Sequence, residues 1–200
     1  SALMQGLADG YFVLPATIAN YLAGAKLDKV EKDAPEVAKA VAVVEERIQK
    51  LLKAENPQKT PDWFHRKLGA IVWEYCGMAR NKAGLEKALV EIPKLREQFY
   101  KEVKIVGGND EFNQTLERAL RVADFLEMGE LMCIDALARE ESCGGHFREE
   151  HSTDDGEAAR DDEKFAYVAA WEWTGNPSKP TLNKEPLVFE KVHPTARSYK

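Results

Sequence analysis

Cysteine is scarce. Cys76, Cys133 and Cys143 are the only three in 200 residues, an odd count with long spacings and no C-x-x-C pair, so neither a disulfide framework nor a zinc site is encoded. A reducing compartment is the default for such usage. No two histidines stand three or four apart, and His146 and His151 are five apart in a stretch with no helical pattern, so no metal site is read from the sequence. A G-x-S-x-G tract is missing, which removes the serine-nucleophile signal. No glycine-rich turn joins a strand to a helix, so the chain holds no nucleotide-binding fingerprint. Positive charge is in deficit: 28 Lys and Arg against 34 Asp and Glu give a net charge of −6. That balance argues against a phosphate-tracking surface, and no nucleic-acid partner is expected. The sequence opens at Ser1 with no initiator methionine and no basic n-region, so no signal peptide is expected. The expectation is therefore a piece of something larger, without the residues that carry the chemistry.

What is present is mostly helical. Residues 1–25 hold one charge, Asp9, while Leu3, Met4, Leu7, Tyr11, Leu14, Ile18 and Leu22 recur at helical spacing. Ala2, Gly6 and Gly10 stand four apart, a small-residue row that admits close packing or a membrane dimer face. Asp9, Gln5 and Asn20 would be unsatisfied in hydrocarbon, and Pro15 is expected to break the helix, so close packing inside a larger protein is preferred and no direct membrane insertion is expected. Further on, Asp33 is placed as a cap with Pro35 in the first turn, before a stripe of Val37, Val41, Val44, Ile48, Leu51 and Leu52. Asn56-Pro57 stops that helix. Thr60-Pro61 starts the next, with Phe64, Leu68, Ile71, Val72 and Tyr75 inward. Asn81 caps a third, striped by Leu85, Leu89, Ile92, Leu95 and Phe99, which Pro93 should kink and Gly107-Gly108 should end. Asn109 opens the longest, from Phe112 to about Arg139. The fold class expected is mostly α: an antiparallel up-and-down helical bundle of three to four long helices, followed by a small C-terminal β-hairpin region.

Beyond Glu141 the pattern changes. Residues 139–164 carry four basic side chains (Arg139, Arg148, Arg160, Lys164) against ten acidic ones, a balance of −6 that equals that of the whole chain. Such a run reads as a solvated loop over residues 154–163. Residues 165–173 and 185–192 alternate β-branched and aromatic residues around Gly175-Asn176-Pro177-Ser178 and read as a hairpin, with an extended tail over 194–200. His65 beside Trp63-Phe64 reads as a surface or core-edge residue rather than a catalyst. In residues 139–148, Gly144-Gly145 permits a positive-φ turn that brings His146 and Arg148 back against the preceding helix. Ion pairs should knit that stretch, for instance Arg148 with Glu141 or Asp161. A structural knot and a partner-contacting surface both fit it, and Cys143 is a weak redox candidate.

The tract over residues 139–148 resembles the Arg-Glu-Ser-x-Gly-x-His-x-Arg run of flavoprotein subunits of succinate dehydrogenase and fumarate reductase. Three further stretches match in the same order: SALMQGLADGYFVLPATIANYL at 1–22, WEYCGMARNKAG at 73–84, and 160–165 followed by Thr195-Ala196-Arg197-Ser198-Tyr199. The form is similar to the bacterial, quinone-linked subunits. The resemblance implies an oxidoreductase interconverting succinate and fumarate, with hydride passing between substrate carbon and N5 of FAD, and electrons leaving for an iron–sulfur subunit and a membrane anchor subunit. It implies a place in electron transport and the tricarboxylic acid cycle, peripheral on the cytoplasmic side of the bacterial inner membrane. It divides the chain into the last helix of an FAD-binding domain (1–25), the helical bundle domain (26–141), and an acidic loop with hairpin and tail (142–200).

The same resemblance implies no catalytic residue and no metal ligand within these residues. One cofactor contact is carried over. Ser1, Ala2 and Leu3 occupy the positions of an Asn-Ser-Leu tract at a helix N-terminus aimed at the flavin pyrimidine ring, where backbone donors and the helix dipole favour negative charge. Ala2 replaces the usual serine, so only the amides of Ala2 and Leu3 are expected to serve. Aspartate oxidase and adenylylsulfate reductase have related architectures, but the tract around His146 fits the dicarboxylate enzymes better. The competing reading from the residues alone is an autonomous helical interaction module with no redox role.

Overall fold

A computed structural model of the chain describes residues 2–195. Ser1 and the Ala196-Arg197-Ser198-Tyr199 part of the closing tract, with the end of the tail, lie outside the described residues. Two compact units divide between Val44 and Glu45.

In the first unit the backbone is helical without interruption from Ala2 to Gly24: α1 (Ala2–Ala8), a π-helical stretch (Asp9–Val13) and α2 (Leu14–Gly24). Pro15 does not break it. The π stretch ends just before the proline, and the wider i→i+5 spacing is the means by which a helix absorbs a residue that has no N–H to give and crowds the preceding turn. Leu3, Leu7, Leu14, Ile18 and Leu22 are exposed. A Cβ added at Gly6 or Gly10 would meet nothing within 4 Å among the described residues.

Helix α3 (Pro35–Leu52) starts at its proline, so the cap position falls on Ala34 and not on Asp33. The Ala34 carbonyl accepts from Val37 and Ala38 at 3.0 and 3.1 Å. Its last turns contribute Ile48, Leu51 and Leu52 to the core of the second unit. That core is three helices running up, down and up: α4 (Pro61–Tyr75), α5 (Lys82–Glu102) and α6 (Gln114–Ala138). Thr60 and Asn81 cap as the sequence predicts, their side chains accepting from Trp63 at 3.3 Å and Gly84 at 2.8 Å. Helix α5 continues through Pro93 and ends at Glu102, ahead of Gly107-Gly108. Asn113, not Asn109, caps α6, accepting from both Thr115 and Leu116 at 3.0 Å. Phe64 meets Phe99 edge to face at 5.2 Å in the centre. At Gly129 a Cβ would come to 3.2 Å from Leu68 Cδ1, and the missing side chain lets α4 and α6 approach closely.

Past α6 a turn at residues 143–146 and a short 3₁₀ stretch (Glu149–His151) lead to α7 (Asp162–Phe165) and the hairpin of β1 (Tyr167–Glu172) and β2 (Thr181–Pro186). The acidic stretch is only partly a solvated loop. Asp161 caps α7 and pairs with Lys164, and Arg160 pairs with Asp162. The first strand lies where the alternation placed it; the second lies earlier than 185–192. Tyr167 pairs with Pro186 and Glu172 with Thr181. Since α7 occupies the residues before β1, the ladder closes with the Leu187 amide on the Ala166 carbonyl at 2.9 Å, and among the described residues Val188 to Val192 find no strand to pair with. The hairpin lies on α6 through Trp171, whose Nε1–H donates to Asp135 at 2.7 Å. Among the described residues, no helix is long and apolar enough to cross a membrane.

Candidate functional site

The densest polar constellation sits where α6 ends. A helix leaves its final carbonyls without intrahelical donors. Here one guanidinium supplies them: Arg148 Nη1 donates to the carbonyls of Ala136 at 2.8 Å, Leu137 at 3.3 Å and Arg139 at 3.5 Å. The side chain is buried, 1% exposed. Its charge is compensated by Glu150, 3.3 Å from Nε, and by the negative pole of the helix. The sequence expected Glu141 or Asp161 as its partner. Glu141 instead accepts from Arg139 Nε at 2.8 Å and from the Asp161 amide at 2.9 Å, because Arg139 lies just outside the helix and within reach of that carboxylate.

The return path is set by Gly144, at φ +59°, in the left-handed region that glycine enters without strain. Cys143 and His146 close the turn with paired backbone bonds of 2.8 and 3.1 Å. Buried Ser142 then clamps the arginine's own backbone, its Oγ accepting from the Arg148 amide at 2.8 Å and donating to the Arg148 carbonyl at 3.1 Å. From the other side the segment after α4 joins in. The Arg80 amide donates to the Phe147 carbonyl at 3.0 Å, and the Glu149 amide donates to the Arg80 carbonyl at 2.8 Å.

His146 is locked as a neutral ring. Arg80 Nη1 lies 3.0 Å from Nδ1 and can only donate; the Arg139 carbonyl lies 2.9 Å from Nε2 and can only accept. The proton therefore sits on Nε2. Burial, and after it the charges of Arg80, Arg148 and Arg139, push its pKa below the ordinary value. The folded protein then binds fewer protons at this ring than the unfolded chain, so stability is complete above the ordinary value of 6.5 and declines as pH falls below it. Urea unfolding between about pH 7.5 and about pH 5.5 should show this decline at no more than about 1.4 kcal/mol per pH unit for one proton. His146→Gln should flatten it over that window. Parallel pH profiles for the two proteins would remove the ring from the account.

Nearby, a hydrogen bond between Cys133 and Cys76 holds the Cys76 thiol down at about 7 and pushes that of Cys133 up. Both are buried, while Cys143 is exposed. Among the described residues no buried side-chain nitrogen or oxygen lacks a partner, and no group of three metal-ligating side chains is gathered. His146 is engaged at both ring nitrogens and Arg148 is bonded through Nε and Nη1, so the constellation holds chain segments together. His65 is exposed and stacks on Phe125 at 5.5 Å. Ala2 and Leu3 open α1 in the first unit, Leu3 with 87% of its surface exposed.

Two contributors escaped the sequence reading. Arg80 stands four residues after Cys76, outside any stripe. Glu130 is buried, 1% exposed, between Arg96 and Ser178 Oγ at 2.6 Å; its signal was its place four residues after Leu126, inside the apolar stripe of α6.

Residues 65–199 match the family model described as fumarate reductase flavoprotein C-term. The chain is similar to the fumarate reductase flavoprotein subunit of Serratia sp., 31% identical over 160 residues, covering 78% of this chain and 25% of that protein. The subunit of the same name from Escherichia coli is 32% identical over 127 residues, covering 62% and 20%. Among solved structures, the Mycobacterium smegmatis Sdh1 complex in the apo form superposes with a TM-score of 0.69 at 21% identity, covering 86% of this chain and 27% of that one. The chain thus spans about a quarter of the length of the curated relatives it matches.

Proposed function

We propose that this chain, which belongs to the fumarate reductase flavoprotein C-terminal family, works as the C-terminal part of a bacterial flavoprotein subunit that interconverts succinate and fumarate. The observation that carries the reading is the family match over residues 65–199, a stretch that includes α5, α6 and the whole Arg80–His146–Arg148 junction. In this reading the division of labour follows the segments: 1–25 is the last helix of an FAD-binding domain, 26–141 the bundle, and 142–200 the acidic loop, hairpin and tail. The junction is scaffold, and the bundle docks an iron–sulfur subunit, through which the assembly reaches a membrane anchor on the cytoplasmic face.

The residues present fit a flavin at one edge only. The first amides of a helix have no intrahelical acceptor, and α1 opens at Ala2, so the Ala2 and Leu3 N–H groups are what this helix start can offer. Bound in the whole subunit, FAD supplies the hydride chemistry. These 200 residues by themselves turn over neither dicarboxylate.

The test uses the whole subunit. Purified protein should carry flavin that succinate bleaches, and that fumarate reoxidises after chemical reduction. A full-length protein without flavin, or one whose flavin is reduced by L-aspartate and not by succinate, would overturn the proposal.

A further inference from the structure

A cavity of about 290 Å³ lies between the second half of α6 and the hairpin, away from the junction. Its walls include Trp171, Trp173, Met128 and Pro177, and at its edge stand Asp124, Glu127 and Glu172; no lysine, arginine or histidine lines it. The walls are fixed. Trp171 is held by Asp135, and the loop between the strands is pinned by Ser178 on Glu130 and by Thr174 Oγ1 on the Lys179 carbonyl at 2.8 Å. Of the three carboxylates, Asp124 is paired with Arg47, and Glu172 accepts from Asn183 at 3.3 Å. Glu127 has neither a hydrogen bond nor an ion pair among the described residues. Trp173 is 60% exposed at the mouth.

Indole faces beside unpaired negative charge are complementary to a cation. The volume is at the low end for small-molecule sites, about 300 Å³, and suits a single side chain. Between the two basic side chains the flat walls select one: a planar guanidinium can lie on an indole face while its edge forks to a carboxylate, and it gives up hydration more readily than an ammonium. The surroundings favour a protein as its carrier. Phe125, Met128 and Met132 are exposed along one face of α6, and they continue the cavity's apolar wall into a strip that a free ion would not cover.

We propose that the cavity between α6 and the hairpin receives an arginine side chain of a partner protein, stacked between Trp171 and Trp173 and neutralised by Glu127. The inference stands apart from the flavoprotein reading. The full chain is titrated with N-acetyl-arginine methylamide, following the indole N–H resonances, and in parallel with the citrulline counterpart, which has the same shape without charge, with the lysine counterpart and with ethylguanidinium. Arginine amide should shift the Trp171 and Trp173 resonances saturably, and citrulline should bind at least about tenfold more weakly. Trp173→Ala should weaken arginine binding about fivefold to thirtyfold. Glu127→Gln should weaken it about fivefold, and the two variants should melt as the parent does. Equal binding of citrulline, tighter binding of lysine, no saturable shift, or unchanged affinity in both variants would each overturn the proposal. Ethylguanidinium binding as tightly as arginine amide would overturn the assignment to a partner's side chain.

Discussion

Replacing Arg148 by methionine should lower stability by about 3–5 kcal/mol, the cost of breaking a buried charged network by removing one member. Methionine fills much of the volume, so the loss comes from unpaired polar atoms and not from a cavity. The carbonyls of Ala136 and Leu137 would be left without a donor, and Glu150 would lose its cation. For a chain of this size the loss corresponds to a melting point lower by about 10 °C. Arg148→Lys should recover less than half, because one ammonium cannot reach the helix-end carbonyls and Glu150 together. Chemical denaturation of the three proteins measures both effects. A methionine variant within about 1 kcal/mol of the parent would mean that water replaces the guanidinium and that the junction is not held by it.

Glu130→Ala should cost about 3 kcal/mol for a related reason with a different readout. The buried carboxylate joins Arg96 on α5 to Ser178 in the hairpin loop. Its removal strips the carboxylate from a largely buried guanidinium, which keeps only its bond to Ser178 Oγ at 3.2 Å, and loosens that loop, so chymotrypsin should cut after the exposed Trp173 faster than in the parent. The paired change Arg96→Met with Glu130→Leu should return stability to within about 1 kcal/mol while the loop stays cleavable, since an apolar pair removes the unpaired charge but cannot bind the Ser178 hydroxyl. If the double variant is as unstable as the single, the cost does not arise from the stranded charge.

The bundle was legible because its information is local and periodic. The stripe from Leu85 to Phe99 and the caps at Thr60 and Asn81 each specify one helix without reference to distant residues. Where the reading slipped, a second element decided. Asp33 and Asn109 have capping side chains, yet the helices start at Pro35 and after Asn113, where proline and a side chain already bonded to the Val106 carbonyl at 2.8 Å fix the boundary. The second strand was displaced because pairing is a property of two segments, and β1 begins only where α7 ends. At the junction the type of structure could be read from Gly144-Gly145, His146 and Arg148. The partners could not, because the choice between Glu141 and the helix-end carbonyls depends on where α6 stops, a matter of one or two residues.

The bonds made by Arg148 also impose an order of assembly. Its acceptors become available as a cluster only when the last turn of α6 has formed, and the Arg80 bridge joins positions 68 residues apart. Contacts of that separation close late. During synthesis, α6 can therefore condense on α4 and α5 while the residues beyond Glu141 remain loose, and the segment that emerges after α6 is fastened only once the helix it fastens to is complete.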